Sequence, residues 1–468
     1  MTNTSNAPEA QERVLSTLNR DGSRRWIRPK VSKGHYYKRR FITAWALIAT
    51  FTLIPILRLG GKPLMLFDIQ KREFTLFGAT FLPTDTLLLM LLLFSIFIGI
   101  FLVTAVLGRV WCGWGCPQTI YMEFLYRPLE NLIEGGRKQQ LALDESGPNA
   151  RRILKYVVFF FVSAFLANTF LAYFVGWDRL LGWMTSPPTQ HTAAFAAMLG
   201  TTLLMFFDFA YFREQTCIVA CPYGRLQSVL LDRQSLIVGY DPKRGEERAP
   251  WRKKEERTAG DCIDCGLCVS TCPTGIDIRD GLQMECIACT QCIDACDTVM
   301  DRIGLEPGLI SYTSQAELES GNRSFLRPRL VVYSAILLVM FSAFGISLAG
   351  KSSADVTLLR GLGAPFTVLP NGDISNQIRL KIANRAPEER SYLIELVDSD
   401  DVTLIAPENP LVVEASETGM TGAFLTAPPA AFTDEEISIT LRIGDGVDFS
   451  RDISYRLLGP AGATGGGS

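Results

Sequence analysis

The chain has 468 residues, 48% of them hydrophobic and 20% charged, and its 46 Lys and Arg against 48 Asp and Glu leave a formal charge of −2. That near-neutral balance argues against a nucleic-acid binder, which is basic overall or on one face. Long uncharged runs alternating with charged ones argue against a fully soluble globular protein. Twelve cysteines beside only two histidines, His35 and His191, disfavour the common zinc catalytic sites and exclude a transmembrane pair of bis-histidine haems, which needs twice as many histidines.

A bilayer core of roughly 30 Å takes about 20 apolar residues in a helix. Five runs meet this, giving five expected transmembrane α-helices. The first lies between Arg40 and Arg58 and contains Pro55, which is expected to kink it. The others are Thr86–Gly108, Tyr156–Trp177, Thr192–Phe212 and Leu330–Gly350. The first 40 residues are polar and carry no secretory signal pattern. Asp208, near the end of the fourth run, reads either as functional, the default for an acid inside a span, or as snorkelling beside Arg213. His35 and His191 read as ordinary interfacial residues on opposite sides.

Basic residues concentrate in alternate loops. Met1–Arg40 carries ten Lys/Arg, Arg109–Lys155 seven and Arg213–Arg329 fifteen, against three in Leu59–Asp85 and one in Asp178–His191. The positive-inside rule then places the N-terminus and the long fourth loop in the cytoplasm and the segment from Lys351 in the opposite compartment.

Eight cysteines form two tight groups, Cys262-x2-Cys265-x2-Cys268-x3-Cys272-Pro273 and Cys286-x2-Cys289-x2-Cys292-x3-Cys296-Asp297. This is the spacing of two-cluster bacterial ferredoxins, in which the fourth thiolate of each run reaches the other cubane. One [4Fe–4S] cluster is therefore assigned to Cys262, Cys265, Cys268 and Cys296, and the other to Cys286, Cys289, Cys292 and Cys272. Zinc would take two Cys-x2-Cys pairs per site rather than two runs of four. Lys243–Arg257 reads as a solvated linker.

The other four cysteines lie in a repeat. Trp111-Cys112-Gly113-Trp114-Gly115-Cys116-Pro117 follows the second span and Thr216-Cys217-Ile218-Val219-Ala220-Cys221-Pro222 the fourth, each leading into an amphipathic run, Gln118–Glu134 and Tyr223–Leu231. Proline favours the first helical position, which makes Cys116 and Cys221 N-caps with an expected depressed pKa. If the repeats pack about a pseudo-twofold axis, the four thiols converge. Four soft thiolates without imidazole select Cu(I) or another soft metal. A dithiol relay and inert buried thiols are the other readings.

Beyond the fifth span the chain turns β-rich: Ile374–Ile382, Tyr392–Val397, Val402–Ile405, Leu411–Glu414, Gly422–Leu425, Ile437–Ile443 and Ile453–Leu458. Seven short runs between Pro, Gly and Asn breaks suggest an immunoglobulin-like β-sandwich. The expected organisation is a basic segment 1–40, four membrane helices over 41–212 with the first Cys-x3-Cys-Pro motif, and a cytoplasmic segment 213–329 with the second motif and a two-cluster ferredoxin-like insert. A fifth membrane helix 330–350, a periplasmic immunoglobulin-like domain 351–460 and a flexible tail 461–468 complete it.

On the two Cys-x3-Cys-Pro motifs, Tyr223, Cys286–Asp297 and the β-rich end, nearly the whole chain resembles the cytochrome c oxidase accessory proteins of the CcoG/FixG (RdxA) type. Membrane ferredoxins of nitrate and nitrous-oxide respiration share the paired motifs, and the β domain after a fifth span tips the balance. The resemblance implies a protein of the bacterial cytoplasmic (inner) membrane that serves assembly of cbb(3)-type haem–copper oxidase by reducing Cu(II) to Cu(I). On that reading Cys112, Cys116, Cys217 and Cys221 are both the catalytic and the copper-binding residues. The implied partners are a soluble electron donor, a copper transporter or chaperone, oxidase subunits and membrane lipid, with a homodimer left open. Two rivals stand beside it: an electron-transfer subunit exchanging electrons with quinone, and a non-enzymatic assembly scaffold docking through its outer domain.

Overall fold

A computed structural model describes residues 16–460 apart from 19–22, 60, 70–72, 78, 82–84, 148, 253–258, 322–326, 351, 362, 387, 398–400, 416 and 433–434. The Gly-rich tail and the end of the Lys243–Arg257 run lie outside the described residues. The chain divides into two units at Phe344/Gly345.

Among the described residues four helices are long and apolar enough to cross a membrane: Thr86–Leu107, Ala150–Val175, Thr192–Phe212 and Pro328–Ala349. They match the second to fifth expected spans. Pro328–Ala349 has no buried residue, so its apolar surface is stable only against hydrocarbon. Thr86–Leu107 buries only Leu88, Ser95, Thr104 and Ala105. Ala150–Val175 starts on Asn149, whose side chain accepts from the Arg151 N–H, and buries a stripe through Lys155, Phe159, Ser163 and Leu166 at helical spacing.

The first expected span is shorter than predicted. Its helix runs His35–Leu53, and its apolar part after Arg40 offers only about 20 Å at 1.5 Å per residue. Pro55 ends the helix instead of kinking it: Ile54 still has helical φ and ψ as the C-cap, and Pro55 has no N–H to continue the ladder. Its ends nevertheless reach opposite faces of the unit. At the start, the N–H groups of Tyr36 and Tyr37 donate to Asp294 at 3.0 and 2.7 Å. At the far end, the Tyr173 hydroxyl donates to the Phe51 carbonyl at 2.7 Å and Arg58 pairs with Asp178. The loop Leu59–Asp85 on that far face folds into a small antiparallel sheet, Met65–Asp68, Glu73–Leu76 and Ala79–Phe81, which the sequence reading left as loop.

On the near face, strands Ile237–Tyr240 and Ile310–Thr313 pair antiparallel, Ile237 opposite Thr313, and bracket all eight ferredoxin-type cysteines. Helices Leu267–Ser270 and Gln291–Ile303 each begin two residues after the second cysteine of a run and carry the third, Cys268 and Cys292. The N-terminal segment lies along this body: Lys30 N–H donates to the Ser270 carbonyl at 2.9 Å, and the Ser16 hydroxyl to the Thr274 carbonyl at 2.7 Å. Within the charged run, Arg244 is bound to Asp261 at 2.5 Å, so its start is attached to the insert rather than a free linker.

The second unit is a two-sheet sandwich, as expected. One sheet orders Thr403–Ile405, Thr418–Ala427, Ile374–Asn384 and Ala354–Arg360, with Thr367–Val368 on the Ile374 end. The other orders Leu411–Val413, Arg390–Leu396, Glu436–Gly444 and Ser450–Leu458. Alternate residues Ile378, Leu380 and Ile382 share the core with Ile439, Leu441 and Ile443. Strands 354–360 and 367–368 are additions to the seven expected.

Candidate functional site

The eight ferredoxin-type cysteines separate into two cages in the crossed pattern that their spacing predicts. Cys262, Cys265, Cys268 and Cys296 line one cavity, closed by Leu267, Val299, Met300 and Ile310. Cys272, Cys286, Cys289 and Cys292 line a second, closed by Val238, Ile276, Ile278 and Ile287. Local geometry repeats with the sequence. Asp264 and Ala288, each two residues past the first cysteine of a run, both have φ of 53°, and Gly266 and Thr290 have φ of 64° and 62°. Left-handed residues interleaved with right-handed ones turn successive N–H groups into one concavity, a nest that accepts anionic ligands including Fe–S sites.

These donor sets suit cubanes and not single ions. Among the described residues no three His, Cys, Asp or Glu side chains approach one point closely enough to hold a metal ion. A lone zinc needs its sulfurs at about 2.3 Å. A cubane takes one thiolate at each iron and spreads them apart. Burial holds the thiols protonated until a metal charge arrives: it pushes Cys268 and Cys286 up to about 11 and Cys289 and Cys296 up to about 12.

The two Cys-x3-Cys-Pro motifs are built alike. Each span ends in a corner residue of positive φ, Gly108 and Arg213, four residues before the first cysteine. A five-residue helical turn follows, Val110–Trp114 and Thr216–Ala220. Cys116 and Cys221 then cap helices that start at Pro117 and Pro222, and the Gly224 N–H donates to Cys221 Sγ at 3.4 Å. The interfacial helix Pro117–Glu134 is continuous through a π turn at Met122–Tyr126. The expected depressed pKa is overturned for Cys116, where desolvation outweighs the N–H groups of Thr119 and Gln118 at the helix start. Burial is also the largest influence on Cys112, which it raises, and on Cys217, which it takes to about 12.

The four thiols are neighbours. Cys112, Cys116 and Cys221 all act electrostatically on Cys217, and Cys116 and Cys221 on Cys112. They also abut the second cage. A Cβ on Gly113 would meet the carbonyls of Ile287 and Ala288 at 2.7 and 2.8 Å, so two backbones pack face to face. Cys112 joins Ile287 and Cys289 in one buried cluster. Its thiol donates to Gln227 Oε1 at 3.0 Å, and Gln227 donates to the Tyr223 hydroxyl at 2.6 Å. Cys217 lines a small pocket together with Pro273, Thr274 and Ile287 at the same cage.

Sequence reasoning missed the ionic network beneath this site. Glu130, buried on the interfacial helix, takes Arg213 through two bonds of 3.1 and 2.9 Å, Arg28 at 2.5 Å and Lys155 at 3.3 Å. Its cations hold the Glu130 carboxyl well below the usual range. Glu130 and Glu134 at i, i+4 on an amphipathic helix were the available signal; their partners lie 25 to 102 residues away. Asp208 does not snorkel, since it accepts from the Thr216 hydroxyl beside Cys217. His35 and His191 are exposed and take no part.

Buried cubane cages fused to membrane helices define the class: a membrane-bound 4Fe–4S electron-transfer protein. Residues 212–315 match a 4Fe-4S dicluster domain family, 89–136 a 4Fe-4S binding domain family, and 344–460 the Ig-like fold found at the C-terminus of FixG. Protein RdxA of Cereibacter sphaeroides is 33% identical over 427 residues, covering 86% of this chain and 89% of its own. The nitrogen fixation protein FixG of Rhizobium meliloti is 29% identical over 498 residues, 94% of each chain, and RdxB of C. sphaeroides is 31% identical over 413 residues, 83% of this chain and 86% of its own. The chain belongs to the FixG/RdxA family.

Proposed function

We propose that this protein is an oxidoreductase of the bacterial cytoplasmic membrane that reduces Cu(II) to Cu(I) and so supports assembly of a cbb(3)-type haem–copper oxidase. Its cluster-bearing insert faces the cytoplasm and its sandwich the periplasm. Cys262, Cys265, Cys268 and Cys296 are the ligands of one cluster, and Cys272, Cys286, Cys289 and Cys292 of the other. Bound there, the clusters supply one-electron carriers. Cys265 is exposed, which suits entry from a soluble donor at the first cage. Cys112, Cys116, Cys217 and Cys221 receive the copper. One electron leaves the donor and one Cu(II) becomes Cu(I), with no other bond made or broken. Soft sulfur favours the cuprous product. Thiols that are adjacent without closing a coordination sphere suit an ion that must pass on to a transporter or chaperone.

The observation that carries this reading is the contact of the Cys112–Gly113 backbone with Ile287 and Ala288 of the second cage. The test is donor-driven copper reduction by purified protein in which the four cysteines are serine. A fall to the uncatalysed rate is expected, and undiminished reduction removes them from the mechanism. Orientation is tested separately: a Ser391→Cys variant should react with an impermeant maleimide in spheroplasts, and reaction only in inverted vesicles reverses the topology.

A further inference from the structure

Among the described residues five arginines are buried: Arg28, Arg40, Arg109, Arg127 and Arg213. Three meet carboxylates. Arg28 and Arg213 bind Glu130, and Arg127 binds Glu123 and Glu214. Arg40 and Arg109 have no carboxylate partner among the described residues. A buried guanidinium without a counter-charge is costly, because desolvation is not repaid. Two in one small region require an anion that side chains do not provide.

Both lie where the thiol motif meets the second cage. Arg40 is 2% exposed. Its Nε donates to the Gly113 carbonyl at 3.0 Å, its Nη2 has no partner, and its charge acts on Cys289. The Phe124 ring at 5.3 Å offers it only a π face. Arg109 donates through Nη1 to the Met284 carbonyl, its Nε has no partner, and its charge acts on Cys112 and Cys286. The first cage differs. Its nearby cation, Arg279, is paired with Asp277 at 2.6 Å and with Asp264. Asp297 adds a further negative group beside Cys296, whereas Glu123, the carboxylate that acts on Cys289, is itself paired with Arg127.

We propose that Arg40 and Arg109 are unneutralised cations built against the second cage, where they stabilise an added electron and make that cage, not the first, the favoured seat of the electron beside Cys112. This rests on the assignment of a cluster to each cage and not on copper. A [4Fe–4S] core with four thiolates is anionic and becomes more so by one charge on reduction. Buried positive charge at its edge therefore favours the reduced form, and the neutralised surroundings of the first cage do not. The transfer moves one electron from the first cage to the second and breaks no bond. Arg40 and Arg109 act through the ligating cysteines and are positioning residues. Arg40 also fixes the loop of the thiol motif through the Gly113 carbonyl, and Arg109 joins that motif to the cage loop through the Met284 carbonyl.

The experiment is a redox titration of the full-length protein in detergent, followed by electron paramagnetic resonance. Cys265→Ser and Cys289→Ser variants assign the two signals. Arg40→Gln and Arg109→Gln should each shift the Cys289-dependent signal at least about tenfold towards the oxidised form, about 59 mV for a one-electron couple. The other signal should stay put, and Arg40→Lys should keep the wild-type potential. Iron and sulfide content is measured in parallel. Should Arg40→Gln lose iron, Arg109→Gln and Arg40→Lys decide. Full iron content with unmoved potentials in Arg109→Gln overturns the proposal, as does an equal shift of both signals. A wild-type protein without iron would overturn the cluster assignment itself.

Discussion

The two Cys-x3-Cys-Pro repeats reach the same backbone shape by different physics. Gly108 and Arg213 occupy equivalent corners with φ, ψ of 55°, −126° and 51°, −120°. In the first repeat the corner is glycine, and a Cβ there would run into the Leu236 carbonyl. In the second repeat an arginine carries a Cβ through a region that L-residues avoid, and its guanidinium is clamped by Glu130. One corner is made by removing a side chain and the other by holding one. The repeat therefore fixes where the thiols go, and each half recruits its own means of fixing it.

The largest expected effect comes from unclamping the second corner. Glu130→Gln removes the carboxylate that Arg213, Arg28 and Lys155 share in a buried site, leaving them Glu214, Asp144 and Glu134, and should cost about 3 kcal/mol, read by thermal unfolding in detergent. The wild-type contribution depends on pH with a definite sign. The Glu130 carboxyl is held below its ordinary range, so its stabilisation is complete above that range and is lost as the pH falls through and below it. Acid destabilisation that persists unchanged in Glu130→Gln would assign it elsewhere. Next comes Gly108→Ala, which should cost about 1–3 kcal/mol through backbone strain and disturb Cys112 more than Cys217. Equal effects on both thiols would break the comparison between repeats. Gln227→Leu, on the interfacial helix of the second repeat, removes the acceptor of the Cys112 thiol in the first and should cost about 1 kcal/mol, read by the same unfolding measurement.

The smallest effect is in reactivity. In iron- and copper-free protein the Cys217 thiol, pushed up to about 12 by burial, should alkylate slowly at neutral pH and speed up only as pH climbs towards that value. The linked stability runs the same way. The folded state prefers the neutral thiol, so stability is whole below the ordinary thiol range and declines as pH rises through it towards 12. Rapid alkylation of Cys217 at pH 7 in folded protein would contradict this.

Much of the cage was legible because it is local. The crossed partition of Cys272 and Cys296 follows from a three-residue step set by short-range turns, and Asp264/Ala288 and Gly266/Thr290 repeat those turns. The sandwich was legible through period-two alternation, as at Ile378, Leu380 and Ile382. Strand Ala354–Arg360 escaped because it buries only Ala354 and Val356 and carries charge at both ends. The direction of the Cys116 shift escaped the sequence because a cap is visible there and burial is not. Arg40 reads in sequence as the charged edge of a membrane run, yet it is buried against Gly113, a partner 73 positions away. The same distance problem hid Glu130.

The strand pair Ile237–Tyr240 and Ile310–Thr313 draws the two mouths of a seventy-residue excursion together. The iron-carrying part is thus one insertion, closed at its mouth by main-chain bonds and held to the segments outside it through Lys30, Tyr36, Tyr37 and Arg109. Chelation should accordingly expose proteolytic sites between residues 241 and 309 before any cut appears in the helices on either side.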